Sequence, residues 1–283
     1  MPVTSIVDTH SHALPLVDHG SPDVETTLRM IGFAVEQGVT AMCLTPHLYD
    51  YDAALIARSR EVFRQVAAAV AEAGMEVRLY PGFEVSMLLA ATADAEQLRS
   101  VCIDISGDGE DPAGGSASGG GEAATGTRCA RPLLIEMPFS NWPPMFEQTI
   151  ARLASSGFLP VIAHPERNDR VRRSVDVLEP CLGAGAILQG TAGSFSEIFR
   201  RDSQKPFHEI LARGWYGLLA SDAHSQPSFT WTVGPLLEEL GKRVTPEDRE
   251  LLVSVNPARL LKGQRPLPMG AGSQPAKSRR FFS

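Results

Sequence analysis

The feature that most constrains this chain is a unit that occurs four times: a helical stretch ends at a glycine, and a short apolar run follows at once. Glycine suits the left-handed residue just past a helix. Continuous apolar runs are typical of strands buried on both faces of a parallel sheet. The unit therefore predicts a fold of parallel strands connected by helices. The glycines and the runs that follow them are Gly38 with 39–44, Gly74 with 75–80, Gly157 with 158–163 and Gly214 with 215–220.

Weaker apolar runs at 5–9, 133–135 and 186–188 bring the expected number of strands to about seven, alternating with helices. The stretch 53–73 is rich in Ala, Arg, Glu and Val and predicts a long helix. Ser21 is the predicted N-cap of an earlier helix that has Pro22 at its first position. This alternation indicates an α/β barrel or a doubly wound sheet.

The 283 residues divide into one predicted domain, 1–263, and a flexible C-terminal tail, 264–283. The segment 106–127 is rich in Gly, Ala, Ser and Asp, so it cannot bury a core and is predicted to be a disordered insertion. The tail is rich in Pro, Gly, Lys and Arg, and a frayed terminus is expected.

The net charge of −7 argues against a nucleic-acid partner. There is neither a signal-peptide pattern nor an apolar run long enough to insert in a membrane. The four cysteines are widely spaced and form no CxxC pair, as expected for reduced thiols. We expect a cytoplasmic protein, whose oligomeric state, including a homo-oligomer, stays open.

Residues of the kind that bind metal ions follow the predicted strands. Because the carboxyl ends of parallel strands share one face of the fold, we expect these side chains to converge. Chance placement of the whole set is hard to defend, although a single HxH pair would be weak evidence. The predicted ligands are His10, His12, His47, Glu84, Glu136, His164, Asp222 and His224.

The spacing of these residues favours a cluster of several ions. Residues two apart on a strand point to the same side, so His10 and His12 can face one ion. Imidazole together with carboxylate suits Zn, Mn or Fe(II) better than Ca or Mg. Glu84 and Glu136 can bridge neighbouring ions. Asp18 is a further candidate ligand in the loop after the first strand, and the adjacent His19 could replace it.

Positive charge and the absence of other motifs indicate phosphate chemistry. Arg167, in the run from His164 to Arg167, can present a planar fork to a phosphoryl group. The simpler alternative is a surface ion pair with Glu166 or Asp169. No cysteine is followed six residues later by arginine, and no P-loop occurs, which excludes cysteine-dependent phosphatases and P-loop enzymes. His208 falls on a predicted helix, 206–213, and is expected to be structural or solvated.

These motifs resemble the polymerase-and-histidinol-phosphatase (PHP) superfamily and, more narrowly, the bacterial CpsB/YwqE-like manganese-dependent protein-tyrosine phosphatases. The resemblance covers roughly residues 5–262, and the run Ala-His-Pro-Glu-Arg followed by Ser-Asp-Ala-His is its most specific part. The family usually has two acidic residues where Asp18 and His19 stand. The matching stretches are 8–12 with Leu14, Pro15, Asp18 and Gly20; 45–47; 82–84; 135–139; 160–167; 191–194; and 220–224.

The resemblance implies a distorted (β/α)7 TIM-like barrel with three divalent ions, usually Mn2+, with Fe, Zn or Co as alternatives. By motif, His10, His12, Glu84 and Asp222 would hold one ion, and Glu84, Glu136 and His164 a second. His47 and His224, together with Asp18, would hold the third. The candidate catalytic residues are Arg167, His47 and Asp222, of which Arg167 would bind the phosphoryl group.

The substrate implied by the resemblance is the phosphotyrosine tail of a cognate tyrosine autokinase that controls capsular or exopolysaccharide synthesis. Two alternatives stay open. One is a small-molecule phosphatase, for example one acting on histidinol phosphate. The other is a non-catalytic, metal-bound PHP module, which would be expected to have lost ligands, whereas every ligand class is present here.

Overall fold

The computed structural model describes residues 5–105, 130–195, 201–225 and 233–270. The predicted insertion, 106–127, and residues 271–283 of the predicted tail lie outside this part of the chain. The first residues of the predicted tail, 264–270, pack against the fold. There Leu267 N donates to Asn256 Oδ1 at 2.7 Å, and Gly270 N donates to Asp248 Oδ1 at 2.8 Å.

All strand pairs in the described part of the chain are parallel. They form a three-stranded sheet, β1-β2-β4, and a six-stranded sheet, β3-β5-β6-β7-β8-β9. The parallel order confirms the α/β class predicted from the alternating units. The strands are β1 (Ile6–Asp8), β2 (Val39–Leu44), β3 (His47–Leu48), β4 (Arg78–Pro81), β5 (Glu84–Ser86), β6 (Arg131–Glu136), β7 (Phe158–Ala163), β8 (Ile187–Thr191) and β9 (Tyr216–Ala220).

Two of the predicted strands are broken into a lower and an upper piece. β2 continues as β3 after Thr45 and Pro46, and β4 continues as β5 after Gly82 and Phe83. Proline has no N–H to donate to a neighbouring strand, so a break at Pro46 is expected. The lower pieces pair in the small sheet and the upper pieces in the large one.

The first and last strands of the barrel meet through the segments that follow β1 and β9. Asp222 N donates to His10 O at 3.0 Å, and His12 N donates to Ala223 O at 2.9 Å. This closure gives a distorted (β/α)7 barrel, in which each broken strand occupies one position. It brings the segment after the last strand next to the segment after the first, where the predicted ligands lie.

Helices connect the strands in the predicted manner. The four glycines of the recurring unit all have positive φ, from +66° at Gly74 to +91° at Gly38. The long helix predicted at 53–73 is α2. The helices of the described residues are α1 (Val24–Glu36), α2 (Ala53–Glu72), α3 (Met87–Thr92), α4 (Ala95–Val101), α5 (Phe146–Ser155), α6 (Asp169–Arg173), α7 (Glu179–Gly183), α8 (Ala192–Phe195), α9 (Arg201–Ala212), α10 (Val233–Leu240), α11 (Pro246–Glu250) and α12 (Asn256–Leu260).

The predicted cap of α1 was wrong by two residues. The N-cap is Asp23, whose carboxylate accepts from Thr26 N at 2.7 Å. Ser21 instead pairs with Pro15 in an isolated bridge and donates its hydroxyl to Asp23 O at 2.9 Å. Among the described residues, the helices are all too short or too polar to cross a membrane.

Candidate metal centre

The predicted ligands come together at the carboxyl ends of the strands. His10 and His12 follow β1, His47 begins β3, Glu84 begins β5 and Glu136 ends β6. His164, Asp222 and His224 follow β7 and β9 and complete the cluster. Most of these side chains are buried, and His10, His12 and Glu84 are fully shielded from solvent.

The innermost part of the cluster consists of two imidazoles and two carboxylates. His10 Nε2 lies 3.3 Å from Glu84 Oε2 and 3.4 Å from Asp222 Oδ1. His12 Nε2 lies 3.4 Å and 3.2 Å from the same two oxygens. The two Nε2 atoms are 3.2 Å apart. Four possible ligand atoms therefore surround one point, and they belong to the four residues that the family resemblance assigns to the first ion.

Glu84 connects this group to a second one. Its Oε1 lies 2.9 Å from His164 Nε2, and its Oε2 lies 3.0 Å from His47 Nδ1. Glu136 Oε2 is 3.7 Å from the same His47 nitrogen. The two oxygens of Glu84 thus face different sets of side chains, which is the arrangement expected of a bridging carboxylate.

Outer hydrogen bonds orient three of the imidazoles. His10 Nδ1 contacts Gln189 Oε1 at 2.8 Å, His12 Nδ1 contacts Asp18 Oδ2 at 2.7 Å, and His224 Nδ1 contacts the Asp222 carbonyl at 3.0 Å. Because each of these oxygens accepts, each Nδ1 donates, and in a neutral ring the Nε2 is then left to face a metal ion. Such outer partners are typical of histidines that bind metal ions.

Several atoms of the cluster lack the partners that buried polar atoms normally have. His47 Nδ1, Glu84 Oε2 and His164 Nδ1 are buried and make no hydrogen bond with any described residue. In addition, His10 Nε2 and His12 Nε2 lie only 3.2 Å apart, although neither nitrogen can accept from the other when both rings carry a proton there. A divalent cation would satisfy these atoms, so the donor set fits a metal centre.

The electrostatics agree with this interpretation. Burial alone would raise the pKa of Glu84, but the charge of His10 and the hydrogen bond from His164 hold that pKa well below its ordinary value. Burial raises the pKa of Glu136, and the charge of Glu84 raises it further. Carboxylates that repel each other in a buried space are stabilised by a cation.

The candidate phosphate-binding residue lies beside this cluster. Arg167 Nη1 contacts Asp222 Oδ2 at 2.7 Å, Nη2 donates to Thr191 Oγ1 at 3.0 Å, and Nε donates to Ser194 Oγ at 3.4 Å. The guanidinium is thus held in one orientation. Among the described residues, the ion pair of Arg167 is formed with Asp222, whereas the simpler alternative expected a surface pair with Glu166 or Asp169.

The backbone at two ligand positions adopts the left-handed region that L-residues rarely occupy. His164 has φ +34° and Asp222 has φ +54°. The surrounding contacts hold both residues there: Asp8 Oδ1 accepts from Ser221 N at 3.0 Å, and His164 N donates to Gln189 O at 2.8 Å. Such strain is concentrated at functional sites.

A cavity of about 490 Å³ opens over the cluster. Its walls include Arg167 and Arg172, and two aromatic side chains that are more than half exposed, Tyr49 and Phe139. The Tyr49 ring stacks on His47, with centroids 5.3 Å apart, and the Phe139 ring lies 5.9 Å from that of His164.

Every predicted ligand and Arg167 therefore lie in or directly beside one cluster, whereas His208 lies on α9, away from it. The sequence did not predict that Gln189 orients His10. Thr191 and Ser194, which orient Arg167, do fall in one of the stretches that match the family, 191–194. Five groups of three residues each bring possible ligand atoms within 4.8 Å of one another: His10, His12 and Asp222; His10, Glu84 and His164; His47, Glu84 and Glu136; His12, His47 and His224; and Asp18, His19 and His47.

The fold and the site define an α/β-barrel protein in which several groups of possible metal ligands lie beside an arginine. Residues 6–104 and 125–262 match the family described as "Capsular polysaccharide synthesis, CpsB/CapC", and the chain belongs to this family. The tyrosine-protein phosphatase YwqE of Bacillus subtilis is 26% identical over 281 residues, which cover 98% of this chain and 99% of that protein. The putative tyrosine-protein phosphatase CapC of Staphylococcus aureus is 26% identical over 221 residues, 78% of this chain and 77% of that protein.

Solved structures with a similar fold include metal-dependent tyrosine phosphatases. One crystal structure, from work on YwqE of Bacillus subtilis and CpsB of Streptococcus pneumoniae described as metal-dependent tyrosine phosphatases, matches with a TM-score of 0.74 and 25% identity. The match covers 93% of this chain and 97% of that one. The phosphotriesterase homology protein of Escherichia coli matches with a TM-score of 0.53 and 16% identity, over 92% of this chain and all of that one, and supports the barrel fold alone.

Proposed function

We propose that this protein is a metal-dependent phosphomonoesterase that hydrolyses phosphotyrosine. The observation that carries the proposal is the combination of the His and carboxylate cluster with Arg167 in the lining of one open cavity. We further propose that the domain spans 1–263, and that the physiological substrate is the phosphotyrosine tail of a tyrosine autokinase of capsular or exopolysaccharide synthesis, in the cytoplasm. The family description and the named relatives support this.

The ligand sets proposed from the sequence remain the best assignment for the inner ions. His10, His12, Glu84 and Asp222 would hold one ion, and Glu84, Glu136 and His164 a second. We propose Mn2+ for these sites, because each includes carboxylate oxygens. When bound, the ions supply Lewis-acid charge and an activated water.

The residues of the chain bind and orient the substrate. Arg167, fixed by Thr191, Ser194 and Asp222, can neutralise charge on the phosphoryl oxygens as the ester bond breaks. The exposed rings of Tyr49 and Phe139 provide apolar walls for an aryl leaving group. Such walls favour an aromatic phosphate over a small polar one.

The direct test compares the hydrolysis of a phosphotyrosine peptide, a phosphoserine peptide and histidinol phosphate by chelator-treated protein to which Mn2+ is returned. We expect Mn2+ to restore hydrolysis of the phosphotyrosine peptide selectively. The double variant His10→Ala/His12→Ala should be inactive, with its circular dichroism retained. Turnover by that variant, shown to be metal-free, would reject the proposal.

Arg167→Ala should lower kcat by roughly 10²–10³-fold, as the loss of one transition-state donor does in other enzymes. Arg173→Ala is the matched control, since Arg173 is exposed on α6 and should leave the rate unchanged. Faster hydrolysis of histidinol phosphate than of phosphotyrosine would favour the small-molecule alternative. No turnover of any substrate with any metal would favour the non-catalytic module.

A further inference from the structure

Three imidazoles lie together at the outer rim of the cluster, beside the cavity. The rings of His19 and His47 are nearly parallel, at 15°, with centroids 5.1 Å apart. The His19 and His224 centroids are 4.9 Å apart, and the Nε2 atoms of these two rings face each other at 3.2 Å. His19 thus lies beside His47 and His224, the two imidazoles that the family resemblance assigns to the third ion.

Asp18, the residue first considered for this ion, already serves other groups. Its Oδ2 accepts from His12 Nδ1 at 2.7 Å and from His47 N at 3.0 Å. Its Oδ1 accepts from Gly20 N at 2.8 Å. The carboxylate therefore orients His12 from behind and holds the loop in place, which is the role of an outer partner rather than of a ligand.

The loop that carries His19 is fixed on both sides. A Cβ atom at Gly20 would lie 2.0 Å from the His12 carbonyl oxygen, so only glycine allows this close approach. Ser225 Oγ donates to Gly20 O at 2.5 Å, and Leu16 N donates to Ser21 O at 3.0 Å. His19 is therefore carried by a backbone that packs against His12.

The distance between the facing nitrogens matches that of two ligands on one ion. With metal–nitrogen distances of 2.0–2.1 Å and a tetrahedral angle, two imidazole nitrogens lie about 3.3 Å apart. His19 Nε2 and His224 Nε2 are 3.2 Å apart, the same separation as for the inner pair, His10 and His12. Because His224 Nδ1 donates to the Asp222 carbonyl, its Nε2 presents a lone pair toward His19.

We propose that His19 is a ligand of the outer ion, which it holds together with His224 beside the ring of His47, and that this ion is Zn2+, Fe2+ or Co2+ in preference to Mn2+. The preference follows because imidazole suits the later transition metals, whereas Mn2+ suits carboxylate and water. This inference rests on the metal-binding part of the proposed function.

The test measures metal binding rather than catalysis. Chelator-treated wild-type protein, His19→Ala and His19→Asp are titrated separately with Zn2+ and Mn2+ by isothermal titration calorimetry, and bound metal is counted by plasma emission spectrometry. Leu16→Ala is the matched control, because Leu16 is an exposed residue of the same loop. Melting curves of the metal-free forms show whether each variant folds.

We expect His19→Ala to lose one equivalent of Zn2+, or to bind it at least about tenfold more weakly, since even outer partners contribute 10–100-fold. His19→Asp should regain the full number of ions, with the preference for Zn2+ over Mn2+ reduced at one site. Leu16→Ala should bind like the wild type. Folded His19→Ala with unchanged stoichiometry and affinities overturns the assignment of the ligand. An unchanged metal preference in His19→Asp overturns the proposed selectivity.

The outcome is independent of the proposed phosphatase activity. If His19→Ala loses one ion while the wild type hydrolyses no phosphate ester, the inference stands and the proposed function fails. If the wild type hydrolyses phosphotyrosine and His19→Ala binds metal normally, the proposed function stands and the inference about His19 fails.

Discussion

Removing the hydroxyl of Tyr216 should destabilise the protein, because that hydroxyl solvates a buried carboxylate. Glu166 is fully buried, and its Oε2 accepts from Tyr216 Oη at 3.0 Å. Its Oε1 accepts from Thr191 N at 3.2 Å and from Thr191 Oγ1 at 3.3 Å. Burial raises the pKa of Tyr216 well above its ordinary value, and the charge of Glu166 raises it further, so the phenol remains a donor.

The substitution Tyr216→Phe removes one oxygen and keeps the ring that packs on Phe207, with centroids 5.0 Å apart. A hydrogen bond to a charged group contributes about 1.5–3 kcal/mol net, and we expect the free energy of unfolding to fall by that amount. Thr191 Oγ1 also accepts from Arg167, so disturbing this network should lower kcat as well. Both effects have their origin in one missing donor.

The assay is urea unfolding, followed by circular dichroism, of metal-loaded wild type, Tyr216→Phe, Glu166→Gln and the double variant. Tyr51→Phe is the control, because Tyr51 is exposed and its substitution should change stability by less than about 0.5 kcal/mol. In the double-mutant cycle, the two buried positions should show a coupling energy above about 0.5 kcal/mol. A loss for Tyr216→Phe no larger than that of the control would refute the reasoning, since Glu166 would then not depend on this donor.

Three further predictions concern the metal centre and the cavity. Gln189→Leu should weaken metal binding about 10–100-fold, because Gln189 Oε1 orients His10 at 2.8 Å; calorimetry showing unchanged affinity would contradict this. Removal of metal by a chelator should lower the free energy of unfolding by about 2.7 kcal/mol for each site, if the free metal concentration beforehand is 100 times the Kd of that site. Equal urea midpoints with and without chelator would argue against a metal-stabilised fold. Phe139→Ala should reduce kcat/KM for a phosphotyrosine peptide roughly 2- to 12-fold, because an aromatic contact contributes about 0.5–1.5 kcal/mol. The kcat/KM for a phosphoserine peptide should not change. An equal fall for both peptides would exclude a role of Phe139 in recognising the tyrosine ring.

The fold was predictable where its signals are local. A glycine just past a helix and an apolar run after it involve only neighbouring residues, and Gly38, Gly74, Gly157 and Gly214 all have the predicted left-handed backbone. The division of two strands was not predicted, because it depends on which neighbours the pieces before and after Pro46 pair with. Likewise, the choice of Asp23 over Ser21 as the cap of α1 depends on the bridge between Ser21 and Pro15.

The convergence of ligand-type residues was predictable for a different reason. All carboxyl ends of parallel strands lie at one face, so the position of His164 or Asp222 along the chain already indicates its position in space. The outer partners follow no such rule. Gln189 lies inside an apolar strand and contacts a residue 179 positions away. The different contacts of Asp18 and His19 depend on the path of one short loop, which the sequence alone does not fix.

The position of the metal centre suggests why the broken barrel holds together. His10 and His12 follow a strand of the small sheet, whereas Glu84, Glu136 and His164 belong to strands of the large one or follow them. At the level of the breaks, the two broken strands are joined to each other by Gly82 N to Leu44 O at 3.1 Å and Glu84 N to Pro46 O at 3.0 Å. Ions shared by ligands from both sheets would add bonds across this boundary, while neutralising carboxylates that burial makes costly. Loss of metal should therefore increase amide hydrogen exchange first at β3 and β5, the upper pieces of the broken strands, and uniform protection along the barrel would contradict this view.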